Sequence, residues 1–346
     1  MGRPDRRKFL RLLATGGLAL TVANPLEDAW ELLSDEPERV SSSLVYGVSR
    51  VTGYFKVQSE QQQPAQIAGG IDDHLAYLRG LLGQSITDDL RRSLLSVTGK
   101  TALLAGRNAF RQGLPRLAAD RFSLANGLAG EAGDRELRAA VLASMSGFGV
   151  SGLYGVKGDG QAALDLMDEA LQIVGPRADP QLKVVLWAGR AERYAVLGNL
   201  MGCMLDLHRA RNLLEMEGPF EDGLLQPHDV TGLDAIHGSC AVRLAELAPM
   251  EARSAVDLLG RSYRDLPSSH TSWRATVLGD QGAAYAVQGE AEEAAAALVD
   301  ALELTQRAGA RHNVLRIATI RHARLGGVDV AAVRELDDRL HAAGVT

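Results

Sequence analysis

The densest group of side chains that could perform chemistry lies between residues 228 and 240. Asp234, His237 and Cys240 are spaced three apart, so a helix would place them on one face, where they could ligate zinc. Structural zinc sites usually take their ligands from more than one segment, which these three residues do not. The alternative is that Asp229 caps the helix while His237 and Cys240 pack as interior residues. We favour this alternative, and no metal site is predicted.

Catalytic and phosphate-binding motifs are not found along the sequence. The segment 155–160 contains three glycines, but it lacks the G-x-x-x-x-G-K-[ST] spacing of a phosphate-binding loop. Neither H-E-x-x-H nor G-x-S-x-G occurs. Because no convergent set of acid, base and nucleophile is visible, the sequence predicts a protein that is not an enzyme and that needs no cofactor.

The two cysteines, Cys203 and Cys240, have no C-x-x-C spacing. Each lies in an apolar helical pattern, where a free cysteine behaves as a small hydrophobic residue. We therefore predict two buried thiols; a disulfide, a metal pair and a redox pair are the alternatives.

A polar stripe is formed by Arg190, Glu192 and Arg193 on a further predicted helix. Such a stripe could bind a peptide carboxylate through charge-assisted hydrogen bonds. A solvated helix face is the more common explanation for charged residues at this spacing.

The composition suits close packing of helices. Of 346 residues, 46% are hydrophobic but only 5% are aromatic, whereas strands favour β-branched and aromatic residues. The formal net charge of −6 argues against contact with a phosphate backbone, so no direct nucleic-acid binding is expected. No segment reaches the length of about 18 apolar residues that a membrane span needs, so no stable span is expected.

Apolar residues recur at spacings of three and four, and Gly, Pro or Asp-Gly breaks separate the segments. This pattern predicts an all-α protein without strands. The predicted helices lie at 26–34, 39–57, 65–82, 87–112, 115–131, 134–156, 160–174, 181–197, 200–216, 229–246, 249–265, 271–288, 291–308, 311–324 and 329–342.

Four segments repeat one pattern: a helix with a small residue, a turn glycine, and a second helix with Ala, a large residue and Ala; in three of them a tyrosine follows the small residue one turn later. The turn glycines are Gly113, Gly158, Gly198 and Gly289. A small residue lets the second helix approach closely, and one helix pair cannot bury both of its faces, so neighbouring pairs must stack. The residues that define the pattern are Gly106, Phe122, Tyr154, Trp187, Tyr194, Gly282, Tyr285 and Ala294.

These residues resemble the tetratricopeptide repeat, although the units are longer than the usual 34 residues of that family. The resemblance implies a right-handed α-solenoid of about five tetratricopeptide-like helix pairs; a generic all-α bundle is the alternative. The predicted organisation is a twin-arginine-like segment at 1–25, an N-terminal helical cap at 26–85, and a repeat domain with C-terminal capping helices at 86–346.

The order of several short motifs is similar to the tetratricopeptide-like C-terminal half of actinobacterial transcriptional regulators of the Cro/C1-type helix-turn-helix class. The matching motifs are Arg6–Leu10, Asp28–Leu33, Arg39–Val45, His74–Leu82, Leu90–Leu94 and Phe110–Asp134. Only five residues precede Arg6, so the resemblance does not carry over the DNA-binding half. What it implies is a regulatory half that binds a protein or peptide partner, and it leaves a homodimer open.

The resemblance also implies where a partner would bind. In tetratricopeptide domains the first helix of each pair lines the concave side, and the matching positions here are Arg107, Arg111, Phe148 and Glu192. Charged and aromatic residues at such positions can anchor an extended peptide.

The N-terminal residues 5–11 are close to a twin-arginine export pattern, and Leu12–Ala23 could serve as its apolar region, with cleavage near Ala23. Arg11 interrupts that region, however, the cleavage box is not A-x-A, and the resembling regulators carry the same segment internally. We therefore expect a cytoplasmic protein. The alternative is a twin-arginine-exported binding or scaffold protein of the same fold.

Overall fold

The computed structural model describes residues 40–150, 159–217, 229–245 and 247–345. Within these ranges the regular secondary structure is α-helical. The helices are α1 (Ser42–Gln61), α2 (Pro64–Leu82), α3 (Asp88–Arg111), α4 (Pro115–Ala132), α5 (Arg135–Val150), α6 (Gly160–Val174), α7 (Pro180–Val196), α8 (Leu200–Glu217), α9 (Val230–Arg243), α10 (Pro249–Asp265), α11 (Thr271–Gln288), α12 (Ala291–Ala308), α13 (Arg311–Arg324) and α14 (Ala331–Ala342).

The helix prediction is confirmed for the described residues, and the predicted ends differ from the observed ones by no more than four residues. The predicted helix 26–34 and the end of the predicted helix 134–156 lie outside the described residues. Among the described helices, none is both long and apolar enough to cross a membrane.

Local sequence signals explain where the helices begin and end. Ser41 caps α1 by accepting a hydrogen bond from the backbone N–H of Leu44 at 3.1 Å, and Asp229 caps α9 in the same way. The turn glycines Gly198 and Gly289 have φ angles of 72° and 82°, a left-handed conformation that favours glycine. These caps and turns fix the lengths of the helix pairs.

The chain divides into two compact units, which are described separately. Among the described residues, the N-terminal unit comprises 40–110 and 114–141, and the C-terminal unit comprises 111–113 and those from 142 onward. The predicted boundary between residues 85 and 86 is a different division, and it stays a prediction.

The core of the N-terminal unit is built on α1 to α4. Leu75, Leu78 and Leu94 are fully buried there. A polar trio crosses the same core: the Thr52 hydroxyl lies 3.0 Å from Nε2 of His74 and 2.9 Å from the Thr101 hydroxyl. The trio therefore links α1, α2 and α3.

The C-terminal unit is a stack of helix pairs. Helices α7 and α8, α9 and α10, and α11 and α12 pack together as pairs, and the first helices also contact one another from α7 to α9, α11 and α13. Each pair thus touches mainly its neighbours, as expected for a repeat array. The first helices form one continuous layer, which we call the first-helix layer (α7, α9, α11 and α13).

Glycines on the first helices allow these close approaches. A Cβ atom added at Gly238 would lie 2.6 Å from Cγ of Leu259 in α10, and one added at Gly282 would lie 2.8 Å from Cγ of Leu298 in α12. In the N-terminal unit, a Cβ at Gly106 would lie 2.6 Å from the Phe122 ring. Real Cβ atoms do not come this close to other heavy atoms, so each glycine sets the separation of its helix pair.

Candidate partner-binding surface

The predicted groove residues lie in different parts of the molecule. Arg107 is half-buried on α3 in the N-terminal unit, where burial lowers the pKa of its guanidinium and the charge of Glu60 opposes that effect. Arg111 is the last residue of α3, and Glu192 lies on α7 of the C-terminal unit. Phe148 belongs to α5, but its side chain lies outside the described part of the structure.

The predicted repeat-defining residues occupy core or near-core positions wherever they are described. Trp187 and Tyr194 pack against the core formed by α7, α8 and α9, and Tyr285 packs against the core around α12. Ala294 is fully buried there. Tyr154 lies outside the described residues.

Glu192 belongs to a network of charged and hydroxyl side chains that begins at α5. The buried Arg193 donates from Nε to the Ser146 hydroxyl at 2.9 Å and from Nη1 to Oε2 of Glu192 at 2.9 Å. The Ser146 hydroxyl in turn donates to the carbonyl oxygen of Ala163 on α6 at 2.7 Å. The hydrogen bonds of Arg193 therefore anchor the network to the preceding helices.

The network continues across the first-helix layer. Oε1 of Glu192 lies 3.8 Å from Nη1 of Arg243 on α9, and the same nitrogen donates to the carbonyl oxygen of Ser239 at 3.3 Å. The Ser239 hydroxyl donates to one carboxylate oxygen of Asp280 on α11, and Arg316 on α13 donates to the other. We call Glu192, Arg243, Asp280 and Arg316 the inner charged row.

Opposite charges keep the row ionised despite its burial. Burial alone would raise the pKa of Glu192, but the charges of Arg193, Arg243 and Arg316 together hold it below its usual value. Asp280 behaves in the same way: burial opposes ionisation, and Arg316 and Arg243 lower its pKa overall. The side chains of Glu192, Arg243 and Arg316 remain 28%, 25% and 26% exposed.

The predicted polar stripe is divided by the structure. Glu192 and Arg193 enter the network described above, whereas Arg190 binds Asp206 on α8, with Nε at 2.6 Å from Oδ2, and Asp168 on α6 at 2.7 Å. Hydrogen bonding to Asp206 raises the pKa of Arg190. Arg190 therefore joins neighbouring helices and is not a solvated side chain.

The residues considered for zinc bind other groups. Asp234 forms an ion pair with Arg211, and Cys240 is buried in the core beside Cys203. A hydrogen bond with Cys203, together with burial, raises the pKa of the Cys240 thiol. In the part of the chain that the structure describes, no three acidic, histidine or cysteine side chains form a group that could hold a metal ion.

A second surface lies within the N-terminal unit. It is an open groove of about 700 Å³ between α1, α3 and the turn from α4 to α5, and Tyr46 and Lys100 line it. Within it Arg92 binds Asp89, and the Ser96 hydroxyl donates to Asp134 at 2.6 Å. The inner charged row differs from this groove because it spans several helix pairs.

Three members of the row were not singled out in the sequence. Arg243, Asp280 and Arg316 are 37 and 36 residues apart, close to the length of one helix pair. A charged residue that recurs at the repeat period on the first helices was the signal that could have found them.

No family model matches the chain, and no curated protein matches it in sequence. Among solved structures, a Rap protein complexed with Competence and Sporulation Factor matches with a TM-score of 0.58 and 12% identity over 98% of this chain and 86% of that one. The fold is tetratricopeptide-like. This assignment confirms the predicted all-α repeat array.

A further match is a signal transduction ATPase with numerous domains and a tetratricopeptide repeat sensor, from Pyrococcus horikoshii. Its TM-score is 0.44 at 13% identity, over 99% of this chain and 52% of that chain. The tetratricopeptide-like chain thus spans about half the length of this second neighbour.

Proposed function

We propose that this tetratricopeptide-like protein is a non-enzymatic binding protein that holds a protein or peptide partner on its first-helix layer. The observation that supports the proposal most directly is the inner charged row. Burying charges costs stability, and apolar residues of similar volume would often serve a helix interface better. A row of ordered, partly exposed charges across successive pairs is therefore better explained by recognition of a partner.

Two resemblances support a regulatory role. The Rap neighbour was crystallised with Competence and Sporulation Factor, and the short motifs along the chain resemble the regulatory half of Cro/C1-type actinobacterial regulators. We infer that the partner is bound as part of regulation or signalling and that direct nucleic-acid binding is not involved. The net charge of −6 favours this view.

A charge reversal tests the binding surface. Glu192→Lys places a third positive charge beside Arg193 and Arg243, and we expect it to remove specific partners from quantitative pull-downs out of host lysate. The matched control is Glu215→Lys, because Glu215 is exposed on α8, a second helix. Arg107→Glu/Arg111→Glu tests the groove positions inferred from the resemblance. Identical partner sets for wild type and all variants would contradict the proposal.

The compartment needs a separate experiment. We propose that the protein acts in the cytoplasm, and the alternative is twin-arginine export, which the Arg6–Arg7 pair supports. If the protein is cytoplasmic, Arg6→Lys/Arg7→Lys should leave its distribution between the cell and the medium unchanged, and mass spectrometry should show an intact N-terminus. Export would be established instead if the wild-type protein is found outside the cell without its first residues, about 23 of them, while the variant protein stays inside the cell.

A further inference from the structure

The inner charged row is itself balanced, with two guanidinium groups and two carboxylates, and the adjoining Arg193 adds a third guanidinium group that makes the whole network positive. Both carboxylate oxygens of the buried Asp280 are already occupied, by the Ser239 hydroxyl and by Arg316. The negative charges of the row are therefore used internally, and the surplus is positive.

Two arginines of the row, Arg243 and Arg316, keep open donors. A guanidinium has five N–H groups. Within the described part of the chain, Arg243 uses only Nη1 and Arg316 uses only Nη2. Nε of Arg316 is buried and has no hydrogen-bond partner among the described residues. Because that nitrogen is shielded from solvent, an incoming ligand meets the terminal N–H groups that the two arginines leave unused.

The two arginines lie on either side of Asp280. Arg243 reaches the row from α9 and Arg316 from α13, and the charges of both lower the pKa of that carboxyl. Each side chain is about a quarter exposed, so water is partly excluded and an ion pair with an incoming anion is stronger than on an open surface. A planar carboxylate fits the fork of donors that guanidinium groups present.

We propose that Arg243 and Arg316 bind a carboxylate of the partner, so that the protein recognises an acidic peptide segment. The carboxylate is that of an Asp or Glu side chain or that of a peptide C-terminus. This inference rests on the proposed function, because it specifies the chemistry of the partner at the same surface.

A defined peptide library tests the proposal without knowledge of the natural partner. Fluorescein-labelled octapeptides in positional-scanning pools, with either free or amidated C-termini, are titrated with the full chain and followed by anisotropy. We expect the peptide pools that bind most tightly to contain Asp or Glu or to have a free C-terminus. Replacing the acid of the best peptide by its amide should weaken binding at least tenfold.

Variants locate the carboxylate on the protein. Arg243→Gln and Arg316→Gln should each weaken binding of the acidic peptide at least tenfold and leave the affinity for the amide peptide unchanged. This coupling is expected when the arginine contacts the carboxylate directly. Arg261→Gln is the control, because Arg261 is exposed on α10. If Arg316→Gln fails to fold, Asp280→Asn/Arg316→Gln removes the pair together and should show the same loss.

The outcomes separate the two proposals. Binding of acidic and amide peptides with equal affinity, or binding that is unchanged in the arginine variants, overturns the carboxylate assignment and leaves peptide binding intact. If no pool binds at all, both the carboxylate assignment and the proposed peptide-binding function fail.

Discussion

In the N-terminal unit the buried polar trio is neutral, whereas the C-terminal unit buries the charged Arg193 and Asp280. The trio is held by hydrogen bonds among three helices, and burial lowers the pKa of His74 to about 3, so the imidazole carries no charge at pH 7. The charged network instead extends to partly exposed arginines. The difference is what we expect if the trio only specifies packing, whereas the network also serves the recognition proposed above.

Acid should distinguish the two networks most strongly. The folded pKa of His74 lies below its unfolded value of about 6.5, so the unfolded chain binds more protons between pH 6.5 and 3 and stability falls as pH decreases through that window. The loss approaches about 4–5 kcal/mol near pH 3. Amide hydrogen exchange in α2, measured from pH 7 to pH 4, should show progressively lower protection.

The C-terminal unit contains its own buried histidine, so the measurement must be resolved by residue. Burial lowers the pKa of His312 to about 4, which gives α13 a smaller loss over a narrower window. In His74→Gln the pH dependence of α2 should flatten while that of α13 is retained. An unchanged slope in α2 would show that His74 is not the group responsible.

Aromatic residues of the helix pairs should differ in their contribution to stability. Phe122 is 2% exposed against Gly106, so Phe122→Ala should cost about 3–5 kcal/mol. Tyr285 is only partly buried, and Tyr285→Ala should cost about 2 kcal/mol, since less area leaves water on folding. Urea unfolding, monitored separately for each unit, measures the loss of unfolding free energy in the two variants. A larger loss for Tyr285→Ala than for Phe122→Ala would contradict this prediction.

Replacing Asp280 tests how much of the charged network is structural. Asp280→Asn keeps an acceptor for Ser239 but removes the ion pair with Arg316, and we expect a loss of about 1–2 kcal/mol. Asp280→Ala removes both interactions and should cost about 2–4 kcal/mol. Thermal unfolding of the two variants measures the difference, and equal effects would mean that the hydroxyl contact contributes nothing.

Helix caps should give the smallest and most similar effects in the two units. Ser41→Ala at α1 and Asp229→Ala at α9 each remove one side-chain acceptor at a helix N-terminus, which costs about 1 kcal/mol. Differential scanning calorimetry of both variants provides the baseline for the larger changes. A loss well above this value at either site would indicate a contact beyond the cap.

The helices could be predicted because their signals are local. Apolar spacing, caps such as Asp229 and turn glycines such as Gly289 act within a few residues, and they mark helix ends such as the start of α9 and the end of α11. The inner charged row could not be predicted in this way. Its members come from separate helices and meet only through stacking, and a charged residue on a helix is ordinarily a solvated one.

The polar trio of the N-terminal unit was missed for a related reason. His74 lies between Ile71 and Leu75 on the apolar face of α2. Its partner Thr52 is supplied by α1, and Thr52 in turn bonds to Thr101 on α3. A polar residue on an apolar face signals a buried network, but not which residues complete it.

The glycines at the helix crossings have a consequence for how this array tolerates change. Gly106, Gly238 and Gly282 contribute no side chain, yet any added Cβ would come within 2.6–2.8 Å of a partner atom. In a saturation-mutagenesis library these positions should accept almost no substitution, while neighbouring exposed positions on the same helices accept most. The sequence of the array is thus constrained at positions where no side chain fits between the helices. Duplicating a whole helix pair keeps each crossing intact, so we expect it to be tolerated more readily than a substitution at a crossing.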